Sequence, residues 1–538
     1  MGCGFLAVLG MTTRCDVAIV GSGFAGSLLA RILATLGRDV ILLERGTHPR
    51  FAIGESTTPL ANLSLERLAR RYGLRDCYHL AAHGRWLEHL PELRRGLKRG
   101  FTFYRHHAGT AFANRGLESE RLLVAASPNA HVSDTHWLRA DVDHHFVREA
   151  VAAGVDYRDR TELSACEVGP TGVTLRGARD GATVEIDASF VIDASGPSGF
   201  LARQLSIPQA LDRTYTRAGL VFSHFADVPL MQDVVAGLPQ GPYPDDWAAV
   251  HHIIDEGWMY SLRFDDDVVS AGFVLREAGR MESGAASADA RWRALLEKYP
   301  TINAIFGDAT AVMPIKHVPR IQHRLARATG VRWLLMPHSY AFVDPLFSTG
   351  IAWALRAVER VALMFESRGP SSADLSRYED MLSREADQID RLVAGAYDAM
   401  AHFELFAAHA LIYFTAVSFA ETRQRVAPTD DVAWSGFLGV GDAAIEGVPD
   451  ASRQRLRRLT RDGTTTGSAD ERRAYVRWAS DAIAPRNIAG FADPARHNLY
   501  PLDVDVLLDR HDLLGLDRDQ LVAALPTLRG IAAEPAFE

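Results

Sequence analysis

Cysteine is scarce in this chain, with Cys3, Cys15, Cys77 and Cys166 spread over 538 residues and no Cys-x-x-Cys pair among them. That spacing argues against a disulfide framework and against a zinc site, and a reducing cytoplasm is the expected setting. No metal ligation is expected. Basic charge is not in excess either. Lys and Arg number 58 against 67 Asp and Glu, a formal net charge of −9, so nucleic acid is not an expected partner. No run of about 18 uninterrupted apolar residues occurs, so no membrane span is expected. The opening MGCGFLAVLG lacks the basic region and the length of a secretory signal, and Met11 is an alternative start. Internal repeats and low-complexity tracts are missing as well. With 47% hydrophobic and 23% charged residues, the composition is that of a globular protein of two or three interleaved subdomains.

The first informative segment is CDVAIVGSGFAGSLLARILATLGRDVILLERG. An apolar run, Val17 to Val20, leads into Gly21-x-Gly23-x-x-Gly26, with Phe24 and Ala25 inside the motif. A helical stretch follows, then a second apolar run that ends at Glu44 and Arg45. Strand before, helix after and an acid beyond the second run form a dinucleotide fingerprint. The glycines let the backbone turn tightly and approach a pyrophosphate seated on a helix N-terminus. Glu44 is placed to accept hydrogen bonds from an adenosine ribose.

Four further segments narrow the ligand. HPRFAIGESTTPL carries Ser56 and Thr57 after the second strand, and HWLRADVDHHFVREA sets Arg139 and Asp143 at a helix. FVIDASGPSGFLAR runs a buried strand into Asp193, and YAFVDPLFSTGIAWALRAVERV holds Asp344, Pro345 and a Ser-Thr-Gly turn before a helix. In this order the motifs resemble the FAD enzymes that include para-hydroxybenzoate hydroxylase-type monooxygenases and flavin-dependent halogenases. The resemblance spans about residues 14 to 360. It implies FAD held by Gly21, Gly23, Phe24, Ala25, Gly26, Glu44, Arg45, Ser56, Thr57, Arg139, Asp193, Asp344, Gly350 and Ile351. It places Asp344 near the ribityl chain and the helix after Gly350 with its positive end toward the flavin.

Two segments separate the branches of that group. In RRGLKRGFTFYRHH, strand alternation puts Lys98, Gly100, Thr102 and Tyr104 on one face and Phe101 and Phe103 on the other. A lysine in a basic cluster is ordinarily solvated. Its setting here nevertheless resembles the catalytic lysine of flavin-dependent halogenases, which receives hypohalous acid through a tunnel from the flavin and delivers the halogen to an electron-rich ring. Burial would lower the pKa of such an amine. In EGWMYSLRF, Trp258, Tyr260 and Leu262 alternate with Met259, Ser261 and Arg263. The halogenase pattern there is W-x-W-x-I-P, so the second Trp has become Tyr260, Ile has become Leu262 and Pro has become Arg263. Trp258 and Tyr260 would form a tunnel wall. Arg263 would point away and pair with an acid among Asp265 to Asp267.

The resemblance further implies a halide nest at the N–H groups of Thr349 and Gly350. Tryptophan halogenases carry Glu before that Ser-Thr. Here Phe347 stands in its place, which resembles the halogenases of phenols, pyrroles and carrier-bound substrates, free phenols most closely. A second dinucleotide fingerprint is lacking, so a separate flavin reductase would supply FADH2. The implied activity is FAD-dependent halogenation of an electron-rich aromatic, phenolic or pyrrole-like, in secondary metabolism. An FAD-dependent aromatic monooxygenase is the alternative suggested by the altered Trp258–Arg263 segment, and a flavoprotein without turnover is the non-enzymatic one.

The expected fold is an α/β FAD-binding domain from residues 14–205 and 311–365, an antiparallel sheet inserted at 206–310, and a mainly helical region from 366 to 538. Within the last, apolar residues at 3–4 spacing include Tyr397, Phe403, Phe406 and Tyr413, core residues of which one or two could close a substrate pocket. RLTRDGTTTGSADERR (458–473) reads as a polar loop.

Overall fold

The computed structural model describes residues 12–113, 120–276, 287–367, 369–426, 431–461 and 464–528. The opening decapeptide, Cys3 and Met11 lie outside the described residues. The two apolar runs of the fingerprint form neighbouring parallel strands, Thr13–Val20 and Val40–Leu43, and every residue of the second is buried. Burial on both faces is what makes such strands continuous in Val, Ile and Leu rather than alternating. Ala182–Asp193 lies parallel on the other side of Thr13–Val20, with Trp333–Leu335 beyond it and Asp156–Arg158 at the opposite edge. Phe24–Thr35 packs on this sheet and against Thr349–Phe365, whose Phe365 meets Phe190 of the sheet at 5.6 Å between ring centroids. Three chain segments therefore meet at the carboxyl ends of the parallel strands, where open α/β sheets take their ligands.

A second, nine-stranded sheet is built around Ala218–Ala226, Val269–Arg276, Gly257–Arg263 and Ala249–Ile254, paired antiparallel in that order. It reaches further than the 206–310 segment. Ala249–Ile254 continues, in parallel register, onto Gly100–Arg105, which pairs with Arg121–Ala125 and then Leu499–Tyr500. The 206–310 segment also contributes the helices Met231–Val234, Ala288–Lys298 and Pro300–Phe306.

The strand expected through 94–107 is two strands in two sheets. Arg95–Lys98 pairs with Asp134–Trp137, whereas Gly100–Arg105 belongs to the large sheet. The chain breaks at Arg99, whose N–H donates to Trp247 O at 2.6 Å. Alternation accordingly does not carry across it: Lys98 Nζ lies 4.0 Å from the centroid of the Phe101 ring, on the side that simple alternation denied it.

The C-terminal region is helical, led by Ser372–Ala399, with a Ser371–Asp374 capping box, and Phe403–Val426. The latter is long and apolar enough to cross a membrane by length and composition, but 72% of its apolar window is buried against the rest of the fold. The stretch read as a loop at 458–473 is not one. It takes in the end of the helix Val448–Leu459, a two-stranded pairing of Thr460–Arg461 with Thr464–Thr465, and the start of the helix Ala469–Ile483.

Candidate active site

A cavity of about 710 Å³ opens where the parallel strands end. Its floor is the glycine motif, with Gly21, Gly23, Phe24, Ala25 and Gly26 all on the lining. Gly21 has φ +104°, and a side chain there would put Cβ 2.5 Å from Ala194 O. At Gly26 a Cβ would stand 2.1 Å from Gly21 O, so this glycine seats the helix on the strand. Glu44 and Arg45 close one end of the cavity. Burial alone would raise the Glu44 carboxyl, but Arg50 and the N–H groups of Gly46 and Ser22 outweigh it and hold it below the usual range. Arg139 also lines the cavity. Its guanidinium bonds Asp143 at 2.8 and 2.9 Å and the carbonyls of Ile53 and Gly54 at 3.0 and 3.1 Å. Because Asp143 in turn accepts the Phe24 N–H at 3.2 Å, Arg139 ties the fingerprint helix to the loop that carries Ser56.

The opposite end holds Asp344, Thr349, Gly350 and Ile351. Ser348, in a left-handed conformation at φ 51°, turns the chain into the helix Thr349–Phe365, whose first N–H groups border the cavity. Its Oγ donates to Ser56 Oγ at 3.1 Å. Asp344 is pushed up to about 7 by burial, against the pull of the Tyr397 hydroxyl and the Leu346 N–H. That hydroxyl donates to Asp344 Oδ2 at 2.9 Å and accepts from Trp258 Nε1 at 3.1 Å.

Trp258 and Tyr260 form part of the cavity wall, next to His251. Met259, on the other face of the strand, belongs to a separate core cluster, as alternation predicts. Behind the wall the rings continue. His251 lies 5.2 Å from Trp258 and 5.7 Å from Phe101 between centroids, and Lys98 stands over Phe101. Lys98 is fully buried and donates to Thr57 O at 2.6 Å. Burial pulls its amine down to about 7, while the charge of Asp134, its cross-strand neighbour, resists. Desolvation and the Lys98 charge together pull His251 to about 3, so that ring is neutral.

A family profile described as tryptophan halogenase matches residues 136–405, about half of the chain, and one described as FAD binding domain matches residues 14–241. The chain belongs to the flavin-dependent halogenase family. Among curated relatives, tetracycline 7-halogenase of Kitasatospora aureofaciens is 29% identical over 404 residues, covering 73% of this chain and 71% of that protein. Monodechloroaminopyrrolnitrin halogenase PrnC of Pseudomonas fluorescens is 26% identical over 405 residues, 73% of this chain and 69% of that one. The solved structure of halogenase PltM in complex with phloroglucinol and FAD superposes with a TM-score of 0.81 at 23% identity, covering 90% of this chain and 99% of that chain. The enzyme is thus an FAD-dependent oxidoreductase that halogenates aromatic substrates, with FAD and halide as its requirements. The cavity fits that cofactor: an acid at one end, a glycine cradle closed to side chains at Gly21 and Gly26, and a helix N-terminus at the other end.

Three residues expected in this halogenase's cofactor or tunnel lining do not face the cavity. Asp193 is spent on its own turn, where it accepts from Ser195 N at 2.8 Å and Leu201 N at 2.7 Å, leaving Ala194 and Ser195 on the lining instead. Thr57 trades hydrogen bonds with Thr135 and turns its carbonyl to Lys98. Phe347 stacks on Tyr413 at 4.4 Å, and its carbonyl accepts the Tyr413 hydroxyl at 2.8 Å. Arg263 points away from the cavity, but its partners are the carbonyls of Val228 and Pro229 at 2.8 and 3.3 Å. Asp265 and Asp266 are already paired with Arg95 and Arg94. Sequence reasoning assigned no role to His251, although HHII was in view, and missed Asp134 altogether. Their signal would have been strand register, which one sequence does not provide.

Proposed function

We propose that this halogenase acts on a free phenolic substrate and delivers the halogen through Lys98. When bound, reduced FAD supplies, together with O2 and a halide such as chloride, the hypohalous acid that this delivery uses. Thr349 and Gly350 hold the halide at the helix N-terminus. Trp258, Tyr260 and His251 keep the substrate off the flavin while leaving a path between rings toward Lys98. The lysine hydrogen-bonds the oxidant and presents it to the ring. The observation that carries this reading is Lys98 itself, fully buried and separated from the flavin cavity by Trp258, His251 and Phe101. Phe347 supports a phenolic substrate rather than an indole, because it leaves no carboxylate where an indole N–H would need one. A separate cytoplasmic reductase supplies FADH2, and the product belongs to secondary metabolism.

The test is Lys98→Ala, with Lys98→Arg beside it. Halogenated product is expected to vanish in both, because a guanidinium cannot release its proton. FAD binding and flavin reoxidation are expected to persist, with peroxide released instead. Halogenated product retained in Lys98→Ala would rule out the lysine relay, and a product carrying added oxygen in the wild type would favour an aromatic monooxygenase.

A further inference from the structure

Lys98 does not stand alone behind the wall. Asp134 is its register partner on the adjacent strand, 2% exposed, and its Oδ1 accepts from Asn62 Nδ2 at 2.8 Å. Among the described residues, its Oδ2 is the one buried carboxylate oxygen with no hydrogen-bond partner. An unpaired buried acceptor is costly and persists where it serves something. A second cavity, about 80 Å³, is lined by Phe101, Pro59, Tyr413, Phe414 and Glu421. Pro59 opens the helix that carries Asn62, and Phe101 lies beneath the Lys98 amine. Tyr413 and Glu421 are both near enough to Asp134 to feel or contribute charge.

We infer that Asp134 Oδ2 is the general base that takes the proton of the substrate's phenolic hydroxyl while the Lys98 ammonium acts as the acid. This deepens the phenol reading and rests on it. The ring carbon attacks the halogen of hypohalous acid and the O–halogen bond breaks. The departing oxygen takes a proton from Lys98 and leaves as water. The phenolic O–H proton passes to Asp134, giving a halogenated dienone. The ring C–H proton then goes to the Lys98 amine and the Asp134 proton returns to the oxygen, so both groups are restored. The charged groups around Asp134 are Lys98, Glu421 and Arg425, and Arg425 pairs with Glu421 at 2.7 Å. His136 and His251, on the Lys98 side, are held neutral by burial and by the Lys98 charge. Burial raises Asp134 and lowers Lys98 toward the same range, which suits an acid and base exchanging protons at neutral pH.

Asp134→Asn keeps the shape and removes the base. With a phenolic substrate, kcat/KM is expected to fall by roughly 10²–10⁴ and the acid limb of its pH profile to disappear. The methyl ether of the same substrate, which has no proton to give, is expected to lose little. Infrared difference spectra of the cofactor-free protein provide an independent readout. Adding dichlorophenol above neutral pH should produce a protonated-carboxyl band in the wild type that is missing from Asp134→Asn. An equal loss on phenol and ether, or a retained acid limb, would overturn the assignment of Asp134. A wild type that halogenates pyrroles but no phenol would instead overturn the phenol reading itself.

Discussion

Replacing Tyr397 with Phe removes one hydroxyl that joins the aromatic wall to the flavin-side carboxylate. Burial has raised Asp344 from 3.8 to about 7, so its ionised form costs the folded state about 4 kcal/mol. The native state therefore keeps a proton between roughly pH 4 and 7 that the unfolded chain has lost, and this group's effect is a loss of stability as pH rises through that window. Above it, the Tyr397 hydroxyl donates to a charged acceptor, a bond worth about 1.5–3 kcal/mol. Below it, the same bond goes to a neutral acid and is worth about 0.5–1.5 kcal/mol. The orphaned Trp258 N–H adds about 1–3 kcal/mol at either pH. Tyr397→Phe is expected to destabilise the cofactor-free protein at both pH 5 and pH 8, by about 1–2 kcal/mol more at pH 8. Urea unfolding followed by tryptophan fluorescence at the two pH values reads this directly. A gap of zero, or one of opposite sign, would refute the link between the Tyr397 hydroxyl and an ionised Asp344.

Three further substitutions probe the fold around the site. Gly26→Ala places Cβ 2.1 Å from Gly21 O, where backbone meets backbone, and should cost about 3 kcal/mol or more in unfolding free energy. Gly23→Ala meets nothing closer than Arg139 Nη2 at 3.7 Å, so its stability should hold while FAD affinity falls in a fluorescence titration. Arg263→Pro loses a backbone donor within a paired strand and the bonds to Val228 and Pro229. It should lower the melting temperature by an amount consistent with about 3 kcal/mol while product mass stays unchanged.

The flavin half of the site was legible because it is local. A glycine motif, its flanking strands and Glu44 sit within about thirty residues, and each constraint is a backbone one. Arg139 and Asp143 were legible for a similar reason, being one turn apart on a single helix. The lysine half draws on four distant segments. Asp134 reaches Lys98 only through strand pairing, and Tyr397 and Tyr413 arrive from two C-terminal helices. Helical periodicity marked both tyrosines as inward-facing without saying what they would meet. The Lys98–Phe101 contact was misread because alternation was carried through Arg99, where the chain passes from one sheet to another. Arg263 was paired wrongly because proximity in sequence favoured Asp265 to Asp267, while Arg94 and Arg95, at the start of the segment that carries Lys98, reach two of these acids.

The departures at Tyr260 and Arg263 leave the barrier between the two halves in place, and the structure gives the reason for each. Tyr260 keeps an aromatic face on the flavin cavity, and its hydroxyl has a partner in Ser270, which itself donates to Glu55 at 2.7 Å. Glu55 is held in turn by His224 at 2.9 Å, so the added polarity is absorbed away from the lysine. Arg263 sends its charge to backbone carbonyls on the far face. What remains between the flavin cavity and Lys98 is a set of neutral rings. His251 stays neutral through burial and partly because the Lys98 charge stands near it. In the delivery proposed above, a neutral hypohalous acid would cross between such rings without being held by charge. Tyr in place of Trp keeps that wall free of charge, because burial raises the Tyr260 hydroxyl far above neutral pH.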